Sequence, residues 1–227
     1  MYNGQPIDTG LSCPSAGLTS CTPSTSDDIR NGVSVENVPI GNKQWFVLRV
    51  SYGRIDKAKT FVEAKGLKCY VPLQYKEVRK QSKKRIITNP LLPSFIFVYA
   101  TAEQVEALLH DNKVVTNESR ALLSYYFDHT THRQDNPNRN PPLIIRDEAM
   151  NNFIHLTSIK NSHIIPVTSY SIQFKLGDNV VVTGGEFKGV HGRVARIAGQ
   201  QRVIVELFDG CLVATAYVPK EAMRIYN

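Results

Sequence analysis

Cysteine is scarce in this chain and never closely paired: Cys13, Cys21, Cys69 and Cys211 form no CxxC. That spacing argues against a zinc site or a disulfide framework. Cys69 and Cys211 fall inside apolar stretches, where a free thiol packs as a small hydrophobe; Cys13 and Cys21 fall in a polar tail. Long apolar runs are missing too. No stretch of about 18 apolar residues occurs, so no membrane-spanning helix is expected. The N-terminus has no basic segment leading into an apolar one, so no secretion signal is expected either. The expectation is a soluble, cytoplasmic chain with no membrane partner.

Catalytic signatures are also wanting. There is no GxSxG, HExxH, P-loop or GxGxxG placed after a strand. Gly184-Gly185-Glu186-Phe187-Lys188-Gly189 is rich in glycine but lies between strands, where no helix N-terminus is available to hold phosphate. Glu148, at a helix start, suits the helix dipole better than acid–base work. Asp128, His129 and His132 suggest a metal pair, but a site needs three or four convergent ligands. The other histidines (His110, His155, His163, His191) are scattered. No metal, no cofactor and no enzymatic activity is expected.

Charge is plentiful and uneven. The 227 residues carry a formal net charge of +7. Residues 45–110 hold twelve cations against five acids, so this segment alone accounts for an excess of +7. Lys76, Arg79, Lys80, Lys83, Lys84 and Arg85 cluster around a hairpin tip at Gln81 and Ser82. Clustered cations release counterions from phosphates on binding, which points to an acidic partner. A solvated turn kept charged for solubility is the alternative.

Order begins after a Ser-, Thr- and Pro-rich stretch, read as a flexible leader over 1–43. Lys43 to Val50 reads as a strand. Ile55 to Lys65 follows as a helix with Ile55, Ala58, Phe61 and Val62 on one face, closed by Gly66. Lys68 to Leu73 and Tyr75 to Arg79 read as strands, then the basic tip, then a strand Phe95 to Tyr99. Thr101 and Gln104 form a capping box opening a helix to about His110. Tyr125 to Pro142 is a polar excursion, and Asp147 to about Ile159 resumes helical spacing. The order strand, helix, strands, helix implies an α+β domain with a mainly antiparallel sheet over 44–160, carrying a loop insertion at about 125–145. Residues 161–173 read as a linker.

Over 174–227, Gly177-Asp178, Gly184-Gly185, Gly189, Gly192, Gly199 and Asp209-Gly210 separate short β-branched runs. That pattern suits a small all-β barrel. Along Phe95 to Tyr99, alternation sends Phe95, Phe97 and Tyr99 to one sheet face and Ile96 and Val98 to the other. The pattern admits either helices over both faces or an aromatic face left for a partner.

These residues resemble NusG-type transcription elongation factors. The marks are Trp45-Phe46-Val47-Leu48, Tyr70-Val71-Pro72 and Asn89-Pro90-Leu91-Leu92-Pro93-Ser94-Phe95-Ile96-Phe97-Val98. In the C-terminal region they are Gly177-Asp178, Val180, and Gly184 through Gly189 with Gly192. The resemblance implies an N-terminal NGN-type domain and a C-terminal SH3-like KOW barrel. Trp45 to Val98 is similar to RfaH-like members, and the insertion Tyr125 to Ile145 to UpxY-type antiterminators of capsular polysaccharide loci. Ser94, Leu92 and Phe95 depart from the usual Gly, Phe and Tyr.

The family resemblance implies docking on the β′ clamp helices of RNA polymerase, with Trp45, Phe46, Leu92, Pro93, Phe95 and Phe97 as candidate contacts. It implies non-template DNA or nascent RNA beside Ser51, Tyr52, Arg54 and Lys57, with Arg79, Lys80, Lys83, Lys84 and Arg85 as further nucleic-acid contacts. Rho or a ribosomal protein would engage the KOW barrel. The implied function is suppression of pausing or termination by a monomer, for a polysaccharide biosynthesis operon. The alternative is an RNA- or ribosome-binding KOW module. A helical refolding of the C-terminal region is not expected, because its glycines and β-branched runs disfavour helix.

Overall fold

The computed structural model describes residues 42–80, 83–115, 121–131, 140–167 and 177–226. All but the last two residues of the expected leader lie outside these, as do Gln81, Ser82 and His132. Two clusters of strands result. The N-terminal sheet is built by β1 (Gln44–Val50), β2 (Lys68–Tyr70), β5 (Phe95–Ala100) and β6 (Leu123–Tyr125), in the order β2-β5-β1-β6, with β7 (Ile144–Ile145) also pairing β1. Between β2 and β5, β3 (Leu73–Lys80) and β4 (Lys83–Pro90) form a separate two-stranded antiparallel ribbon.

Register explains how that sheet is covered. β1 runs antiparallel to β5, with Trp45 opposite Tyr99, Val47 opposite Phe97 and Arg49 opposite Phe95. Directly opposed residues share a face, so these six side chains lie on one side. Phe46, Leu48, Val50, Ile96, Val98 and Ala100 lie on the other.

The second face packs on two helices. α1 (Ile55–Ala64) contributes buried Ile55, Ala58 and Val62, and α2 (Ala102–Val115) contributes Val105 and Leu108. α1 stops where Gly66 takes φ +71°, a conformation that costs glycine no β-carbon clash. α2 opens on the capping box read from the sequence: the Thr101 N–H donates to Gln104 Oε1 (3.0 Å) and the Gln104 N–H to Thr101 Oγ1 (3.3 Å).

The first face is covered as well. α3 (Asp147–Ser158) lays Met150, Phe153 and Leu156 against Trp45, Val47 and Phe97. Phe97 and Phe153 meet with ring centroids 5.6 Å apart. Both sides of the sheet therefore carry helices.

The C-terminal strands are β8 (Ile165–Val167), β9 (Asn179–Val182), β10 (His191–Ile197), β11 (Gln200–Phe208), β12 (Cys211–Ala214) and β13 (Met223–Ile225). They form a sheet in the order β13-β9-β10-β11-β12-β8, antiparallel throughout. β8 corrects one boundary: Ile165–Val167 falls in the expected linker, yet pairs with β12 through Val167–Leu212, Pro166–Val213 and Ile165–Ala214. Its alternation was too short to read as a strand. Val180, Val182, Val190, Val203, Val205, Leu207 and Phe208 are buried in one cluster with Phe97 and Phe153, so the two regions share a core. Gly192 is required by packing: a β-carbon there would fall 2.7 Å from Val203 Cγ1 and closer still to the Ile204 carbonyl.

Candidate docking face and nucleic-acid surface

The segment Leu91 to Phe95 joins the ribbon to β5 and is held at three points. The Leu91 N–H donates to the Pro72 carbonyl (2.8 Å), the Phe95 N–H to the Leu92 carbonyl (3.2 Å), and the Val50 N–H to the Ser94 carbonyl (2.8 Å). Leu91 is buried and anchors the turn; Leu92 and Phe95 are half-buried, and Pro93 is exposed. The proline-bearing turn thus presents a short apolar ridge at the end of β5.

Three of the six expected polymerase contacts have a different position. Phe97 is fully buried beneath α3, Phe46 is 2% exposed between the sheet and α1, and Trp45 is 4% exposed. The correction has a simple cause. α3 covers the aromatic face that alternation alone left unassigned, and Phe46 points to the opposite face. Trp45 stacks near Tyr99 (5.2 Å), with the Lys68 ammonium 5.4 Å from its ring centre. Truncating a buried Phe to Ala costs about 3–5 kcal/mol, so Phe46 and Phe97 act in folding.

Phe95 has two aromatic neighbours that are remote from it along the chain. Its ring meets Tyr126 edge-on at 5.1 Å and Phe208 edge-on at 5.8 Å; Tyr126 and Phe208 are 5.5 Å apart. Tyr126 comes from the insertion and Phe208 from the end of β11, just before the Asp209-Gly210 turn. Burial pushes the Tyr126 hydroxyl up from its ordinary range, and the neighbouring Tyr125 up to about 12. The base of the insertion is tied down through the Phe127–Pro142 bridge and backbone bonds from Asp128 to Pro141 and from Leu143 to Tyr126. The Asp128 carboxylate accepts from the Thr130 N–H (2.8 Å) and from the Thr130 and Thr131 hydroxyls (2.6 Å each). Burial works to raise this carboxyl, but those hydrogen bonds prevail and hold it below its usual range. Asp128 closes a turn, and among the described residues no group of three potential metal ligands converges.

A polar seam continues the contact. Asn152 on α3 donates to the His191 carbonyl (2.7 Å) and accepts from the His191 N–H (2.9 Å). His155 Nε2 lies 2.9 Å from the Lys188 carbonyl, and Asn161 donates to Glu186 (2.5 Å). The glycine-rich stretch Gly184 to Gly189 is thus the side of the C-terminal sheet that α3 grips.

The second group of expected residues falls at one turn. Ser51 is fixed by its N–H to the Leu122 carbonyl (3.0 Å) and its hydroxyl to the Ala121 carbonyl (2.6 Å), while the Arg54 N–H donates to Ser51 (3.1 Å). Gly53 adopts φ +72° to close the turn. Tyr52 is left 92% exposed. Lys57 is exposed on the first turn of α1 and Arg54 is half-buried at its start. Because Val50 bonds to Ser94, this turn and the Leu92–Phe95 ridge stand at the same end of the sheet.

The remaining cations belong to the ribbon. Arg79 and Arg85 are exposed. For Lys80, Lys83 and Lys84 the backbone register is described, with Lys80 opposite Lys83 and Lys84 opposite Arg79; their side chains lie outside the described residues.

Comparison with known proteins bears on the N-terminal region. Residues 43–154 match the family described as "NusG: Transcription termination factor nusG", from β1 into α3. Among solved structures the chain is similar to one described as "Domain interaction in Thermotoga maritima NusG", at 16% identity and a TM-score of 0.42. That alignment covers 83% of this chain and 100% of that one.

Proposed function

Starting from a NusG family domain at 43–154, we propose that this chain is a transcription elongation and antitermination factor. Its apolar ridge at Leu92, Pro93 and Phe95 docks on the clamp helices of RNA polymerase, and its C-terminal region is a KOW barrel. The observation that carries this reading is the ridge itself: an apolar turn pinned at three backbone positions, so little order has to be gained on binding. Aromatic and aliphatic anchors of this kind dominate protein interfaces. The chain catalyses nothing in this reading. It favours the closed, elongating state of the enzyme by binding it more tightly than the paused state.

Docking on this ridge requires Phe208 to leave Phe95. The seam between α3 and the C-terminal sheet is apolar at its centre, where Phe187, Val190 and Phe208 join the core of Phe97 and Phe153, and polar at its edge, where Asn152 and His155 bond to His191 and Lys188. Opening it uncovers apolar surface that the partner has to cover. The exposed Tyr52 ring and the exposed Lys57 of the first turn of α1 face non-template DNA in this reading: an unpaired base stacks on the ring and cations hold phosphates. The insertion at 125–145 supports a specialised paralogue of the RfaH or UpxY type, serving a polysaccharide operon. Once freed, the barrel recruits Rho or a ribosomal protein.

Capture of polymerase from cell extract tests the docking. Phe95→Glu and Leu92→Glu abolish capture while leaving the dichroism spectrum unchanged. Capture of polymerase by both variants at the wild-type yield would remove the ridge from the interface.

A further inference from the structure

The β3–β4 ribbon stands apart as its own two-stranded sheet, and its register sorts charge between its faces. Cross-strand partners share a face and alternate residues change face. One face carries Lys76 opposite Ile87, Val78 opposite Arg85, and then the register positions of Lys80 and Lys83. Its described cations are Lys76 and Arg85, and no carboxylate falls at any of these positions. The other face carries Tyr75 opposite Thr88, Glu77 opposite Ile86, and Arg79 opposite Lys84. The ribbon's one carboxylate, Glu77, is on that second face. On the first face Val78 and Ile87 are 38% and 46% exposed, between Lys76 and Arg85, which are also exposed.

From this arrangement we infer that the cationic face of the ribbon is a binding surface for double-stranded DNA, entered through the major groove. The inference deepens the nucleic-acid part of the proposed function and rests on it. Two properties select this partner. The first is shape: a two-stranded ribbon fits the B-DNA major groove, about 12 Å wide and 8.5 Å deep. Five residues from Lys76 to Lys80 extend roughly 16 Å at about 3.3 Å each, enough to reach the groove floor. The major groove of duplex RNA is too narrow and deep for side chains to read.

The second property is composition. Single-stranded nucleic acid is held by stacking its bases on aromatic rings, and no aromatic residue occurs between Lys76 and Asn89. Cations there meet phosphates, while Val78 and Ile87 meet apolar groove edges such as thymine methyl groups. The ribbon and Tyr52 thus divide the work, one taking duplex and the other unpaired bases.

The test titrates the full chain carrying Tyr52→Ala, which removes the ring assigned to unpaired bases, against a fluorescent 20-base-pair DNA duplex, its single strand and a duplex RNA of the same sequence. The duplex DNA binds about tenfold or more tightly than either other probe. Joint Lys76→Ala and Arg85→Ala substitution weakens duplex binding about tenfold and lowers its salt slope by roughly 2, one phosphate contact per cation. Arg79→Ala, on the opposite face, changes the slope by less than one. Lys76→Arg with Arg85→Lys keeps the charge and retains binding. Equal or tighter binding of single strand or duplex RNA overturns the inference, as does an Arg79→Ala loss matching the double variant. Because free DNA is the probe, such a failure leaves capture of polymerase through Phe95 intact, and the two claims fail separately.

Discussion

Asp128 shows how one side chain fixes a feature of the fold. It is 8% exposed, with three hydrogen bonds that hold its carboxyl below the ordinary range. A carboxyl lowered in the folded state adds stability at any pH above its unfolded value, and the gain is lost as pH falls through the folded value. Asp128→Asn is therefore less stable than wild type at pH 7, and the gap closes below about pH 4. Urea midpoints measured from pH 7 to pH 3 check this; a gap independent of pH would mean the carboxylate charge is not used. The sheet faces around Phe95 were legible on the same footing. Alternation placed Phe95, Phe97 and Tyr99 on one face correctly. It could not report that Phe97 lies under α3 while Phe95 reaches the rim, because that depends on Phe153, 56 positions further along the chain.

At the scale of elements, local signals were read best where the chemistry is local. The Thr101–Gln104 box and the Gly66 stop are both present as read. Thr101→Ala removes one bond of that box and lowers stability by about 1 kcal/mol. Thermal or urea unfolding checks the value, and an unchanged midpoint would show that tertiary contacts alone hold the helix start. Where tertiary contacts decide, sequence reading fell short. α2 continues past His110 to Val115 because Asn112 is buried and bonds both the Leu123 carbonyl (2.9 Å) and the Leu122 N–H (3.1 Å). β8 exists because β12 offers an edge to it, a reason invisible in Ile165-Pro166-Val167 alone. The ribbon was expected as a hairpin with a basic tip; its separation of charge by face came only with the register.

In the whole molecule, the N-terminal sheet is clad by α1 and α2 on one face and by α3 on the other. The C-terminal sheet is seated against the same core through Phe208, Phe187 and Val190. The sequence pattern implied two regions but held no sign that they pack together, since Asn152, His155 and Tyr126 look like ordinary polar or loop residues. That packing makes the docking ridge a shared surface: its own C-terminal region occupies it here, and polymerase takes it in the proposed function. A photoreactive phenylalanine analogue at Phe95 tests this exchange most directly. In the free protein it cross-links within the chain to the strand ending at Phe208. With a saturating elongation complex, the account predicts that the cross-link moves to the β′ clamp helices. A cross-link that stays internal while the complex is bound would contradict it.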